Sequence, residues 1–172
     1  MEFYEVIKKR RSYRSFNEAR MPEKETIKKI INAGRLAPTW ANMQGVEYII
    51  VQKNPIVKQI WKAIGQRKKF SNAPMFIVGI IAEKDSGKNK NGEPYYPVDF
   101  GICFEHIILA ATAEGLATCW IGYFDEEKVK EILHIPKKKR VLGLTPLGYP
   151  LKLKDDDSPR KDLESVIHWE TF

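Results

Sequence analysis

The sequence predicts a fold in which helices and strands are mixed around one deeply buried strand. Three observations predict it. A chain of 172 residues suits one compact domain, and 43% hydrophobic residues supply a real core. Helical and strand patterns alternate along the chain, but at irregular spacing. The run Met75-Phe76-Ile77-Val78-Gly79-Ile80-Ile81 holds no polar side chain, so it reads as a strand covered on both faces.

Residues 2–10 read as a short helix with Phe3, Val6 and Ile7 on one side. Pro22, in a first-turn position, opens a second helix that runs to about 36, with Ile27, Ile30 and Ile31 as its apolar stripe. Gly34 weakens that helix by roughly 1 kcal/mol relative to alanine, so a neighbour is expected to pack closely there. Residues 37–44 form a loop, because Pro38 pushes Ala37 out of helical geometry. The β-branched run 46–51 is a strand. Asn54 and Pro55 cap a third helix with Ile56, Ile60, Trp61 and Ile64 inward. After the apolar strand, residues 83–97 carry Gly87, Gly92, Pro94 and many polar groups, the composition of an exposed excursion and a place for a mobile lid.

Asp99 is expected to cap the long helix that runs to about 114 and ends at Gly115; its second half, Ile107 to Ala111, is apolar nearly all round. Residues 117–123 read as a strand. Asp125 caps a further helix with Val129, Ile132 and Leu133 inward. Lys137 to Arg140 form a basic turn read as solvated, and 141–147 the next strand. From 152 to 162 the chain is polar and highly charged, and then Val166-Ile167-His168-Trp169 is prone to extended structure. A tail on a polar leash must pack somewhere to offset its ordering entropy, and a free sheet edge, its own or a partner's, is the natural place.

The net charge is +7 and the pI about 9.3, which favours anionic partners such as nucleotides and phosphates. A nucleic-acid binder would need a contiguous basic stripe with exposed stacking aromatics, whereas the basic residues here are scattered among acidic ones. No apolar run reaches the ~18 residues of a membrane span, and the start lacks the pattern of a signal peptide, so a cytoplasmic protein is expected. Two cysteines, at 103 and 119, and three histidines show no ligand spacing, so no metal site is expected. GxGxxG after the first strand, GxxxxGK[ST] and GxSxG are all absent, which removes the main support for dinucleotide, P-loop and serine-hydrolase readings.

Three stretches carry chemistry. Arg10-Arg11-Ser12-Tyr13-Arg14-Ser15-Phe16 offers planar guanidinium forks that match phosphate oxygens two at a time, and hydroxyls that donate to the same group. Taken alone it is equally the solvated end of a helix. Leu36-Ala37-Pro38-Thr39-Trp40-Ala41-Asn42-Met43-Gln44 precedes a strand, and its tryptophan is either a ligand wall or a plug in the core. Leu116-Ala117-Thr118-Cys119-Trp120-Ile121-Gly122-Tyr123-Phe124 follows an alanine-rich helix, and Gly122 by itself is an ordinary strand-end glycine. A fourth, weaker stretch is Gly148-Tyr149-Pro150 with Pro159-Arg160-Lys161 and the tail. Tyr95, Tyr96 and Phe124 either line a pocket mouth or serve packing.

In their order and joint spacing these stretches resemble the FMN-dependent nitroreductase family, over nearly the whole chain. The resemblance implies an α+β, nitroreductase-like fold with a central mixed β-sheet flanked by helices. It implies one FMN-binding domain over 1–172, with about 152–172 as an extension that reaches the partner of a homodimer and adds a strand to its sheet. By the same resemblance, Arg10, Arg11, Ser12 and Arg14 grip the FMN phosphate and ribityl chain, and Arg160 and Lys161 complete that grip. Pro38, Thr39, Trp40 and Asn42 are the partner's loop against the isoalloxazine ring. Ile121 and Gly122 face its reactive edge, with a backbone N–H toward N5. Some relatives use basic residues where this chain has Arg67, Lys68 and Lys69.

The implied activity is ping-pong hydride transfer through flavin N5, from NADH or NADPH to a nitroaromatic, quinone or similar small-molecule electron acceptor. No side chain takes a catalytic role of its own, which agrees with the lack of paired carboxylates or a nucleophile–base set in the sequence. Similar proteins carry out dehalogenation, flavin fragmentation and cyclic-peptide oxidation, and a flavin-binding module without NAD(P)H turnover is the alternative of a different class.

Overall fold

The structure is a computed structural model and describes residues 1–65, 73–154 and 158–172. Arg67, Lys68, Lys69 and the acidic run 155–157 lie outside the described residues. In chain order the elements are α1 (Phe3–Lys9), α2 (Lys24–Arg35), β1 (Glu47–Val51), α3 (Asn54–Ala63), β2 (Met75–Ala82), α4 (Tyr96–Ala113), β3 (Ala117–Thr118), α5 (Glu126–Leu133) and β4 (Lys139–Gly148), with 3₁₀ turns at Trp40–Asn42, Glu83–Asp85 and Leu163–Ser165.

The strands form one sheet in the order β1-β2-β4-β3, and these four pair antiparallel. Among the described residues its parallel component is a single bridge between Ser12 and Thr118. Every residue of β2 is buried, as its unbroken apolar run demands. Alternation along the strand then sorts its side chains into two cores. Phe76, Val78 and Ile80 face Val57, Ile60 and Trp61 of α3 and Val129 of α5. Met75, Ile77 and Ile81 face Ile27 and Ile30 of α2 and Phe100, Phe104 and Ile107 of α4. The result is three layers, helix on sheet on helix, an α+β arrangement with a buried sheet.

α4 is keyed into the sheet at one place. Gly79 of β2 and Gly143 of β4 stand opposite each other, and the Phe100 ring lies over both. A Cβ on Gly79 would come within 2.5 Å of that ring. Phe100 in turn stacks on Phe104, with centroids 5.0 Å apart.

Several local expectations change. Pro22 stands just before the N-cap of α2, Glu23, and not in its first turn. Asn54 is already helical, and Lys53 is the N-cap of α3 without a side-chain bond. Asp99 lies inside the first turn of α4, whose N-cap is Tyr95, and its carboxylate is buried. Asp125 does cap α5, accepting from the Lys128 N–H at 3.1 Å. The strand expected at 117–123 is reduced to Ala117–Thr118 plus a bridge at Ile121. Lys139 and Arg140 are held in ion pairs. Lys139 pairs with Glu47 and Asp85, and Arg140 makes a two-pronged pair with Glu126 while donating to the Tyr96 hydroxyl at 3.0 Å. Within this chain residues 163–172 form no strand, and Val166, Trp169 and Phe172 are exposed. No helix among the described residues is long and apolar enough to cross a membrane.

The close neighbours expected at Gly34 are Ile107 and the Tyr48 hydroxyl, each within 2.7 Å of a built Cβ. Gly34→Ala gains roughly 1 kcal/mol of helix propensity but forces apart α2 and α4, an overpacking cost of about 1–3 kcal/mol. The urea midpoint of the alanine variant is therefore expected to fall below that of the parent.

Candidate functional site

The basic stretch is held open by backbone pairing. After α1 the chain runs beside β3, where the Tyr13 N–H donates to the Thr118 carbonyl at 2.8 Å. It then joins the end of β4, with Asn17 N–H to Tyr149 O at 2.9 Å and Leu151 N–H to Ser15 O at 3.1 Å. Phe16, 2% exposed, plugs the core beneath. Anchored on both sides, the stretch presents Arg10, Ser12 and Arg14 around one end of β3. Arg11 is tied to its own helix end: its guanidinium donates to the Lys8 carbonyl at 2.5 Å and to the Arg10 carbonyl at 2.9 Å, at the C-terminal end of α1. That favourable charge at a helix C-terminus makes Arg11 partly structural. Lys154 joins the cluster unannounced by any motif, with its Nζ donating to the Ser12 carbonyl at 3.0 Å and lying 5.7 Å from the Tyr13 ring centre.

Opposite stands the segment after β3. The Cys119 N–H donates to the Thr145 hydroxyl at 3.0 Å, and Ile121 and Leu144 exchange both backbone hydrogen bonds. The chain therefore leaves regular pairing and opens a groove of about 160 Å³ between Arg14, Ile64 and residues 119–123. A Cβ at Gly122 would meet nothing, so this backbone faces open space. Trp120 closes the inner side, packed edge-on against Phe104 with centroids 4.8 Å apart. A second groove of about 360 Å³ continues from Arg14 along Tyr13, Ser15 and 151–154.

The electrostatics of the cluster are cationic. Burial pushes the Cys119 thiol above its ordinary value, while Arg14, the Ser12 hydroxyl, Lys154 and Arg10 all pull it down. Burial raises Glu105 on α4, and the charges of Arg10 and His106 hold the rise back.

The loop at 37–44 hangs on a different part of the chain. Its Trp40 N–H donates to Asp99 Oδ1 at 2.8 Å, and the Gln44 N–H to the Thr39 hydroxyl at 2.9 Å. The Trp40 ring packs on Tyr95, centroids 4.8 Å apart, so within the protomer both aromatics serve packing. Pro38 and Asn42 are exposed, and Thr39 and Trp40 half-buried. The segment expected as a mobile lid is a tied hairpin: the Tyr95 N–H donates to Gly87 O at 2.9 Å, and Asn89 and Glu93 bond across the tip. Arg160 and Lys161 are exposed, and the Arg160 guanidinium turns on its own backbone, donating to Pro159 O at 2.9 Å.

One chain thus brings together Arg10, Ser12, Arg14, Ile121 and Gly122, adds Lys154, and leaves Pro38, Thr39, Trp40, Asn42, Arg160 and Lys161 elsewhere. This donor set fits an amphiphilic anion, with cations at one end and an apolar, backbone-lined slot at the other.

The profile of the nitroreductase family matches residues 7–78 and 65–149. Among solved structures, a nitroreductase family protein from Clostridium novyi NT superposes with a TM-score of 0.83 at 41% identity, covering 90% of each chain. The FMN reductase [NAD(P)H] of Bacillus subtilis is 30% identical over 187 residues, 98% of this chain and 74% of its own. Iodotyrosine deiodinase 1 of Sus scrofa is 26% identical over 199 residues, 96% of this chain and 68% of its own.

The raised carboxyl of Glu105 has a sign that can be measured. Between its ordinary value of 4.5 and its raised folded value, the folded chain holds a proton that the unfolded chain releases. Stability therefore falls as pH rises through that window. In Glu105→Gln this slope is absent, so urea midpoints are expected to favour the variant progressively as pH rises from about 4.5, and then to level off.

Proposed function

Because the chain belongs to the nitroreductase family, we propose that it is an FMN-dependent NAD(P)H oxidoreductase acting as a homodimer. The observation that supports this most is the groove in which Arg14 faces the open backbone of Ile121 and Gly122, with Cys119 in its wall acted on by Arg10, Ser12 and Lys154 as well. FMN, when bound, supplies hydride exchange between a nicotinamide and an acceptor.

The chain's own residues bind, orient and shield. Arg10, Arg14 and Lys154 neutralise the phosphate, and Ser12 donates to it. Three such charge-assisted contacts, at about 1.5–3 kcal/mol each, sum to roughly 5–9 kcal/mol. That barely reaches the ~8 kcal/mol of micromolar binding before association costs are met. Apolar burial of the ring must add to it, which is the work of Ile121 in one chain and of Pro38, Thr39, Trp40 and Asn42 from a second copy. A backbone N–H near Gly122 would then stand toward N5, the atom that exchanges hydride, and help to orient the ring. Residues 1–172 act as one flavin-binding domain. The extension from about 152 brings Arg160 and Lys161 to the phosphate and lays its apolar tail, exposed in the protomer, on the partner. The acceptor class is a nitroaromatic, a quinone or a similar planar compound, in ping-pong alternation with NADH or NADPH.

A second reading keeps the flavin and changes the chemistry. It is a specialised flavoenzyme, or a flavin-binding module, on the same fold that does not turn over NAD(P)H; the likeness to iodotyrosine deiodinase 1 supports the specialised chemistry.

An absorption spectrum separates these. Protein incubated with FMN and desalted is expected to keep flavin bands that bleach on anaerobic addition of NADH or NADPH. Bands that persist favour the second reading, and loss of all flavin removes both. Arg14→Ala is expected to weaken FMN binding about 10- to 100-fold while leaving riboflavin, which lacks the phosphate, unchanged.

A further inference from the structure

We infer that Asp99 is a positioning residue that joins the Trp40 turn and the 83–97 hairpin into one unit, so that the hairpin sets the aromatic wall offered to a flavin ring. The wall's bearing on a flavin rests on the function proposed above; the joining of the two segments does not.

Asp99 is 1% exposed, and its two oxygens serve two different segments. Oδ1 accepts the Trp40 N–H at 2.8 Å, and Oδ2 accepts the Ser86 hydroxyl at 2.6 Å. A buried carboxylate held by neutral donors is a poor way to stabilise a fold, since an apolar side chain would fill the same space without desolvation. What it supplies is direction, because bonds to a charged acceptor are short and geometrically demanding.

The turn it holds needs direction. Ala41, Asn42 and Gln44 all have positive φ, at 44°, 56° and 53°, and none is glycine. Backbone of this kind persists only where its surroundings over-determine it, and it gathers at functional sites. The surroundings here come from the hairpin. Gly45 abuts the Asp85 carbonyl, and Gly87 lies so close under the Trp40 indole that a Cβ would collide with it. Tyr95 packs at a tilt against the same indole and closes the hairpin through its N–H to Gly87 O. Ser86 is the hairpin's link to Asp99, and Asp99 is the link to the Trp40 backbone. A shift of the hairpin therefore moves the acceptor that fixes the turn.

The test uses the full chain. Ser86→Ala removes one hydroxyl, Ser86→Thr restores it, and Asp99→Asn weakens both bonds; the serine pair keeps the test valid should the Asp99 variant fold poorly. Hydrogen exchange is followed in peptides covering 37–45 and 83–97, and dissociation constants are measured for FMN and for riboflavin. In Ser86→Ala, exchange is expected to rise about tenfold in both segments together, while both flavins weaken by one common factor of about five- to tenfold. Ser86→Thr should return every reading toward the parent. Arg14→Ala, which touches the phosphate end, should weaken FMN alone. Faster exchange confined to 83–97 would overturn the joining. Joint loosening with both flavin affinities unchanged would overturn the positioning role. A parent protein that binds neither flavin would sink the proposed function, while the exchange data would still decide whether Asp99 joins the two segments.

Discussion

The structure depends on the demand that β2 be covered on both faces. A strand with no polar side chain cannot meet water on either side, so α2 and α4 must close one face and α3 and α5 the other. The Gly79–Gly143 notch then decides how α4 lies, because only there can the Phe100 ring sink against the sheet. Once α4 is seated, the rest of the site has its frame. Asp99 is set one residue before that ring, and Glu105 further along the same helix faces Arg10. The binding groups are loops and strand ends hung on a rigid layered core, which is where chemistry usually sits in such folds.

The cationic cluster illustrates how backbone pairing serves binding. Arg10, Ser12 and Arg14 lie in no regular element, yet their stretch is stitched to Thr118 on one side and to Tyr149 and Leu151 on the other. Long, flexible side chains on a fixed backbone lose less freedom when they close on an anion than the same side chains on a mobile loop would. The cost is crowded positive charge, which Glu105 partly answers through Arg10.

Features that rest on local pattern were legible in the sequence. The apolar run at β2, the stripe of α2, the close packing at Gly34 and the Asp125 cap all follow from spacing and residue type. Features that rest on distant partners were not. Asp99 looked like a helix cap because an acid near a helix start has the same signature whether it faces the backbone or a remote loop. Lys139 and Arg140 looked solvated because their partners, Glu47, Asp85 and Glu126, are scattered over the chain. The strand at 117–123 was overread since its β-prone residues say nothing of the Thr145 side chain that takes the Cys119 N–H. Lys154 was missed because a lysine in a charged leash carries no signal until the fold brings it to Ser12. The basic stretch, the Trp40 loop and the 121–122 backbone were found together only through their order along the chain, and the protomer brings the first and third into one groove.

The hairpin between β2 and α4 also marks where this chain has room to grow. Its base is crowded, with Gly87 under the indole and Ser86 tied to Asp99. Its tip is not: Gly92, at φ 85°, has nothing within 4 Å of where a side chain would begin. Added residues near the tip would lengthen a surface loop at small entropic cost. One residue inserted in α4 would turn every following side chain by about 100° and unseat either Phe100 or the helix beyond it. Variation in length among proteins built on this plan is thus steered toward the hairpin tip beside the Trp40 turn, while α4 keeps its register against the sheet.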